Sequence, residues 1–200
     1  MTRQPSLFAS AVSVDDAFTS LERVDIDDEC WVEYGPGWLN GADTAFDDLA
    51  ASVDWQQRRR WMYSREVDEP RLTARQHADD ARGMRPEWLE LARTVLSARY
   101  GVVFDSAGIN LYRDGEDSVA WHRDRIPEQI VHPLVALVSL GEPRKFLLRK
   151  NGGGRSRAFH LGQGDLLVTG GETQRRYEHS VPKVAKAGPR ISVAFRHGVA

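Results

Sequence analysis

The chain has 200 residues, of which 41% are hydrophobic and 28% charged, and its mean hydropathy is −0.48. This composition excludes a disordered chain, and no apolar run approaches the roughly 18 residues that a membrane helix needs. A single cysteine, Cys30, excludes internal disulfides and cysteine-based metal clusters. The lone cysteine indicates a reducing compartment and the first residues carry no apolar run typical of a secretory signal, so we expect a cytoplasmic protein without membrane contact. We also expect a monomer.

Charge divides the chain into two parts. Residues 1–57 carry 12 acidic residues and two arginines, whereas residues 58–200 carry 17 acidic residues and 25 lysines and arginines. We therefore expect residues 1–57 to form an acidic N-terminal extension with a helix, packed on a core domain of residues 58–200. Basic clusters at 58–60 and 144–157 are suited to phosphate contacts, or equally to a solvated face that protects an edge strand.

The chain order of helical and strand patterns indicates a mainly β protein with flanking helices. A helix capped by Asp43 or Thr44 runs to Val53, and a second begins with Pro86 and ends near Gly101. Short segments between turn residues predict the strands 109–113, 118–121, 134–140, 145–149, 157–161, 165–169 and 190–196. Many short strands at this spacing favour a sandwich, barrel or jelly roll.

Candidate metal ligands lie where one of these strands ends. Residues two apart on a strand project from the same face, so His122 and Asp124 offer an imidazole and a carboxylate to one point. His179 is a candidate third ligand from a distant strand. Two histidines and one carboxylate bind non-haem Fe(II) or catalytic zinc, so the spacing alone leaves the metal open. The alternative for an isolated His-x-Asp is a surface pair.

Two strands carry polar residues suited to an organic acid. Alternation places Arg190, Ser192 and Arg196 on one face of the last strand. Guanidinium groups bind carboxylates through paired hydrogen bonds, so these arginines are suited to a short dicarboxylate. Asn110 and Tyr112 form another same-face pair, whose amide and phenol are suited to hydrogen-bonding that acid. Exposed arginines and a packing tyrosine are the alternative interpretation.

Seven sequence blocks resemble the AlkB-type Fe(II)- and 2-oxoglutarate-dependent dioxygenases, which repair alkylated nucleic acid bases. The blocks stand in family order at 69–74, 110–118, 122–124, 139–146, 161–168, 179–183 and 190–196. The resemblance implies a double-stranded β-helix, which is a jelly-roll or cupin-like core. It also implies Fe(II), 2-oxoglutarate and O2 as cofactor and co-substrates, and nucleic acid with alkylated bases as the partner.

Position by position, the resemblance implies roles for individual residues. The iron ligands are His122, Asp124 and His179. The co-substrate is held by polar residues of the two strands described above, namely Asn110, Tyr112, Arg190, Ser192 and Arg196. Among them, Arg190 is the partner of the distal carboxylate, and Arg196 lies near the iron end, where it also serves catalysis. In the family, 2-oxoglutarate becomes succinate while an N-methyl group is hydroxylated and leaves as formaldehyde.

The resemblance is weaker at the positions that contact the methylated base in members of the family. Ile126 stands where a further acid commonly reads an exocyclic amino group, so Glu128 substitutes for it or recognition differs. The region after Ala74 also lacks the usual aromatic stretch. These departures support an alternative, a same-fold oxygenase that hydroxylates a protein or small-molecule substrate. A second alternative is a catalytically silent nucleic-acid-binding module, against which the intact ligands argue.

A base must leave the stack before its methyl group is oxidised, and flat side chains hold it in place. Trp61 and Tyr63 are the predicted stacking residues, with Arg71 as a further substrate contact, in a substrate lid near residues 58–85. The alternative places Trp61 and Tyr63 in a strand core. The sequence thus predicts oxidative demethylation of N-alkylated bases in DNA or RNA.

Overall fold

The computed structural model describes residues 11–62, 64–81 and 83–198. Within these ranges the chain forms three α-helices, α1 (Ala42–Ser52), α2 (Glu87–Tyr100) and α3 (Thr173–Arg176). The strands of the same ranges are β1 (Ser13–Val14), β2 (Glu22–Asp25), β3 (Cys30–Gly35), β4 (Leu39–Asn40), β5 (Gln56–Met62), β6 (Arg65–His77), β7 (Phe104–Tyr112), β8 (Val119–His122), β9 (Val135–Gly141), β10 (Arg144–Lys150), β11 (Arg157–Leu161), β12 (Leu166–Gly171), β13 (Tyr177–Val181) and β14 (Arg190–His197). No helix in the described ranges is long and apolar enough to cross a membrane.

The strands form two main sheets. The large sheet has eight strands in the order β2-β3-β12-β9-β14-β7-β6-β5, and the small sheet has four in the order β11-β10-β13-β8. Neighbouring strands pair antiparallel throughout both sheets. Most neighbours are distant in sequence, as β12 between β3 and β9 illustrates. This is the jelly-roll architecture, and the predicted mainly β fold with flanking helices is confirmed.

The main hydrophobic core lies between the large sheet and the two long helices. Phe46 and Leu49 of α1 and Leu89 and Leu96 of α2 are buried against the apolar face of the sheet. Burial of each such side chain stabilises the fold by about 1.5–3 kcal/mol. Alternation along β14 places its apolar residues in this core and its polar residues on the opposite face, as predicted.

A smaller apolar cluster fills part of the space between the two sheets. Val32 and Leu167 of the large sheet meet Phe146, Leu148 and Leu161 of the small sheet there. The rest of the space between the sheets is lined mainly by polar and charged side chains. The fold therefore leaves a polar cavity inside the jelly roll, and this cavity contains the candidate site.

Both predicted long helices are present, with small shifts at their ends. Helix α1 is preceded by Gly41 in the left-handed conformation, at φ 68°, rather than capped by Asp43 or Thr44. Helix α2 ends before Gly101, whose φ of 67° is the left-handed conformation in which glycine ends a helix at little cost. The N-terminal residues also provide β2 and β3, which extend the large sheet at β12. The domain boundary near residue 57 stays a prediction.

The β5–β6 hairpin was missed by the sequence analysis. Strand β6 spans 13 residues, most of them polar, and its few apolar residues do not alternate along its length as they do in a typical strand. It nevertheless pairs with β7 along one edge and with β5 along the other. One face of β6 lines the polar cavity instead of the core, which explains the missing apolar pattern.

Candidate metal centre and co-substrate pocket

A cavity of about 610 Å³ opens between the two sheets. This volume lies within the range of small-molecule sites. The structure places every predicted metal ligand and co-substrate residue in its lining, namely Asn110, Tyr112, His122, Asp124, His179, Arg190, Ser192 and Arg196. These residues come from four separate stretches of sequence and meet in one cavity, as the sequence analysis requires.

The three predicted metal ligands converge in this cavity. His122 at the end of β8 is paired across the ladder with His179 of β13, and their ring centroids are 4.3 Å apart. Asp124 lies two residues beyond the end of β8, and one ligand atom from each of the three residues lies within 4.8 Å of the other two. Two imidazoles and one carboxylate grouped in this way form the ligand set of non-haem Fe(II) oxygenases. The donor set therefore fits the metal that the sequence implies.

Neighbouring groups prepare both imidazoles for metal binding. The ring of His122 donates through Nδ1 to the carbonyl of Ala120 at 2.9 Å, which leaves Nε2 as the atom with a free lone pair. The ring of His179 stacks on Phe146 at a centroid distance of 5.1 Å. Burial lowers the pKa of His179 to about 4, so this imidazole is neutral at pH 7.

The low pKa of His179 predicts a pH dependence of the metal-free protein. In the unfolded chain this imidazole binds a proton near its ordinary pKa of 6.5, whereas in the folded chain it does so only near 4. Acid therefore favours unfolding across this window, by up to about 3 kcal/mol from this one group. We expect the free energy of unfolding, measured by urea titration, to fall less steeply from pH 6.5 to 4 in His179→Gln than in the wild type.

The control for this experiment is His160→Gln, because His160 is exposed and lies outside the cavity. It should keep the wild-type pH dependence. Equal slopes for His179→Gln and the wild type would contradict the assignment of a buried, neutral imidazole.

The third ligand, Asp124, is held by an arginine. Arg196 donates through Nε and Nη2 to Asp124 Oδ2 at 3.0 and 2.8 Å. Burial alone would favour the neutral acid, but the positive charge of Arg196 outweighs it, and the pKa of Asp124 lies below its ordinary value. Gly108 makes this contact possible, since a Cβ at that position would lie 2.8 Å from Arg196 Nη1. Arg196 thus fixes both the charge and the orientation of the carboxylate.

We expect Arg196→Gln to weaken metal binding by about 10- to 100-fold, since groups that orient a metal ligand usually contribute that much. Titration of the metal-free protein with Co(II) or Mn(II) measures the change. Arg157→Gln is the matched control, because Arg157 is exposed and outside the cavity. If Arg196→Gln bound metal as tightly as the wild type, Asp124 would not depend on this arginine.

The other end of the cavity contains a buried guanidinium without a counter-ion. Arg190 is 1% exposed, and its Nε donates to Ser139 Oγ at 3.0 Å. Its Nη1 and Nη2 are buried and have no hydrogen-bond partner among the described residues. A buried charge with unmet donors is costly unless a partner binds to it. The two free nitrogens form the fork that a carboxylate accepts, so the residues present fit the distal end of 2-oxoglutarate.

Tyr112 lies between this arginine and a second buried one. Its ring centroid is 5.2 Å from the Cζ of Arg190 and 5.7 Å from the Cζ of Arg144. Arg144 is 3% exposed and donates to three backbone carbonyl groups. The sequence analysis placed Arg144 in a basic surface cluster, but Arg144 is buried, so that prediction was wrong for this residue. Arg149 of the same cluster pairs with Glu178 at 2.6 Å, whereas the remaining basic residues of 145–157 are exposed.

Ser139 was missed as a residue of this pocket. It lies on β9 directly opposite Ser192 of β14, so both hydroxyl groups face the cavity side of the sheet. The available signal was a lone serine in the otherwise apolar segment Val135–Leu140. A buried polar residue in such a strand usually has a partner, which here is Arg190.

Asn110 links the co-substrate end to a predicted substrate residue. Its Oδ1 accepts a hydrogen bond from Arg71 Nε at 3.1 Å, and its Nδ2 lies 3.5 Å from Ser192 Oγ. Arg71 also pairs through Nη2 with Glu69 at 2.9 Å. Arg71 lines the cavity as predicted, and these contacts fix its position there.

The structure does not bring Trp61, another predicted substrate residue, into the cavity lining. Trp61 is 70% exposed, so the strand-core interpretation is wrong for it. It pairs with Glu66 of β6. The polar residues of β6 that line the cavity, Arg71, Thr73 and Arg75, alternate with Glu66 along the strand, so Trp61 lies on the opposite face of the hairpin. Tyr63 lies outside the described residues. Glu128 is exposed and outside the cavity lining, so it does not replace the acid missing at Ile126.

Comparison with known proteins agrees with this geometry. Residues 39–196 match the 2OG-Fe(II) oxygenase superfamily over most of the chain. The chain belongs to this superfamily. All the predicted metal and co-substrate residues lie within the matched range, and the resemblance to AlkB-like oxygenases inferred from the sequence is confirmed.

Two of the similar proteins of this superfamily carry AlkB names. The cattle (Bos taurus) protein named alpha-ketoglutarate-dependent dioxygenase alkB homolog 3 is 31% identical over 182 residues, which cover 80% of this chain and 64% of that protein. The Arabidopsis thaliana protein named DNA oxidative demethylase ALKBH2 is 32% identical over 197 residues, which cover 76% of this chain and 61% of that protein. The chain thus spans somewhat less than two thirds of these relatives.

A solved structure supports the fold. The crystal structure of an oxidoreductase of the 2OG-Fe(II) oxygenase family from Burkholderia pseudomallei aligns with a TM-score of 0.52 over 76% of each chain. The two sequences are 17% identical, so this likeness speaks for the shared jelly roll alone.

Proposed function

We propose that the protein is an Fe(II)- and 2-oxoglutarate-dependent dioxygenase that oxidatively demethylates N-alkylated bases in DNA or RNA. The observation that carries the proposal is the meeting of a His-Asp-His ligand set and a buried, unpaired arginine in one cavity. The names of the relatives, a dioxygenase and a DNA oxidative demethylase, support the reaction class.

The chain's own residues supply position and charge. His122, Asp124 and His179 would hold Fe(II), and Arg190 would hold the distal carboxylate of 2-oxoglutarate. The bound iron and co-substrates supply the oxidation, in which O2 and 2-oxoglutarate yield succinate and CO2 and the oxidised methyl group leaves as formaldehyde. Arg196 keeps Asp124 ionised, and the apolar ring of Phe146 beside His179 excludes water from the reacting end of the cavity.

The mouth of the cavity suits a nucleic acid. The exposed residues Arg58, Arg75 and Arg125 line it, and arginine side chains there attract and position phosphates. A base swung out of its strand would then reach the metal ligands at the bottom of the cavity. The described residues thus offer contacts to the phosphates of a nucleic acid and a base-sized cavity on the same side of the molecule.

A second candidate is a same-fold oxygenase that acts on a protein or small molecule. It is favoured by the position of Trp61, which faces away from the cavity, and by the lack of an acid at Ile126. An arginine-lined cavity would then take an acidic substrate.

Turnover of methylated oligonucleotides tests the proposal. The protein, Fe(II) and 2-oxoglutarate would be offered single-stranded oligonucleotides with 1-methyladenine, 3-methylcytosine, 1-methylguanine or 3-methyluracil, while succinate and formaldehyde are measured. We expect formaldehyde from at least one methylated oligonucleotide and none from its unmethylated control. Succinate formation that no oligonucleotide alters would favour the second candidate. Tight oligonucleotide binding without any succinate would favour a silent binding module.

A further inference from the structure

The cavity around the metal ligands carries an excess of positive charge. Besides the two arginines assigned above, five more line it, namely Arg58, Arg71, Arg75, Arg123 and Arg125. Among the described lining residues the one carboxylate is Asp124, which already accepts two hydrogen bonds from Arg196. A substrate in this cavity therefore meets hydrogen-bond donors and positive charge, with no free carboxylate.

Arg71 is neutralised by Glu69, but three of the other arginines are not neutralised by an acid of the described residues. Elsewhere in the fold, arginines form ion pairs, as Arg113 does with Asp117 at 2.8 Å. Within the described ranges, Arg58, Arg75 and Arg125 form no ion pair. Their charge is thus available to a ligand.

Arg125 is the unpaired lining arginine that adjoins a predicted metal ligand in sequence. It follows the metal ligand Asp124, so the two Cα atoms are about 3.8 Å apart. Arg123, on the other side of Asp124, donates through Nη1 to the carbonyl of Arg175 at 3.0 Å and is thereby tied to α3. On the opposite wall, Arg71 is held by Asn110, so donors border the cavity on two sides.

This lining discriminates between two kinds of N-methylated base. In 1-methyladenine and 3-methylcytosine an amino group stands beside the methylated nitrogen, and the base is a cation at neutral pH. The two sets differ at one ring position beside the methylated nitrogen, which is C6 in the purines and C4 in the pyrimidines. In 3-methyluracil and 1-methylguanine this position carries a carbonyl instead of the amino group, and the base is neutral. Guanidinium donors pair with the carbonyl, whereas they leave the amino group unpaired and repel the cation. A guanidinium plane also stacks favourably on a neutral base.

We propose that the cavity selects neutral N-methylated bases with a carbonyl at C4 (pyrimidines) or C6 (purines), such as 3-methyluracil, over cationic bases with an amino group there, such as 3-methylcytosine. This inference rests on the proposed function and names its substrate class. Arg125 is the specificity-determining residue, and it donates to that carbonyl. The proposal differs from simple attraction of phosphates, which would favour every oligonucleotide equally.

The wild-type protein itself provides the first test. Two oligonucleotides of the same sequence would carry 3-methyluracil or 3-methylcytosine, which have the same shape and differ at the exocyclic group of C4 and in charge. We expect kcat/KM from formaldehyde release to be at least about tenfold higher for 3-methyluracil, since unpaired polar groups and like charges are rejected by at least that factor. Equal values or a preference for 3-methylcytosine would overturn the inference, while turnover of either base would leave the proposed function standing.

Charge reversal tests the assignment to Arg125. We expect Arg125→Glu to lower the preference for 3-methyluracil at least tenfold, because the new carboxylate accepts from the amino group of the cationic base. Arg157→Glu carries the same change in net charge at an exposed position outside the cavity and should keep the wild-type preference. An equal loss for both bases in Arg125→Glu would show a phosphate contact and overturn the assignment. Absence of turnover for every methylated base would contradict the proposed function, and this inference with it.

Discussion

Arg190→Met is expected to raise the KM for 2-oxoglutarate at least about hundredfold. The carboxylate would lose two charge-assisted hydrogen bonds, each of which contributes about 1.5–3 kcal/mol, and 1.4 kcal/mol corresponds to a factor of ten. The readout is the dependence of succinate formation on the concentration of 2-oxoglutarate. Metal affinity should remain unchanged, because Arg190 belongs to the co-substrate end of the cavity.

A stability measurement separates loss of the anchor from loss of the fold. In the absence of 2-oxoglutarate, Nη1 and Nη2 of Arg190 are buried without partners. Replacing such a charge by an apolar side chain of similar length is often neutral or stabilising. We therefore expect the metal-free variant to unfold at the same urea concentration as the wild type or at a higher one. A normal KM for 2-oxoglutarate in this variant would refute the anchor.

His122→Ala is expected to abolish tight metal binding and, with it, all succinate formation. Structural metal sites with four protein ligands bind with about 10–16 kcal/mol, so one ligand of three contributes several kcal/mol and about three orders of magnitude in affinity. Titration with Fe(II) under anaerobic conditions, or with Co(II), measures the affinity. His160→Ala, at an exposed histidine outside the cavity, should bind metal normally.

Comparing single and double variants shows whether the three predicted ligands bind one metal ion or separate ones. His122 and His179 are neighbours across the β8–β13 ladder, and Asp124 lies within reach of both. Single replacement of any of the three should therefore give the same loss of metal, and a double variant should lose little more than either single one. Tight metal binding that survives the loss of His122 would place the metal elsewhere.

The polar face of the last strand could be predicted because polar and apolar residues alternate along it. Arg190 and Arg196 share a face with small residues, and the structure places both in the cavity while Val193 lies in the core. The pair His122 and Asp124 was readable for the same reason. Such period-two patterns involve residues close together in the chain, so they can be recognised from the sequence alone.

Other parts of the site depend on contacts between distant segments and could not be predicted from the sequence. Strand β6 lines a polar cavity and has few apolar residues, so its composition resembled a loop or a lid. Arg144 belongs to a basic stretch, and only the packing of β10 shows that its guanidinium is buried against three carbonyl groups. Ser139 faces Arg190 through the β9–β14 pairing, which joins residues distant in sequence.

A crystal structure with Mn(II) and 2-oxoglutarate, grown without oxygen, tests the central claim most directly. We expect one anomalous peak per chain bound by His122, Asp124 and His179, and a carboxylate of 2-oxoglutarate on Nη1 and Nη2 of Arg190. A metal bound elsewhere, or a 2-oxoglutarate that leaves Arg190 without a partner, would contradict the account.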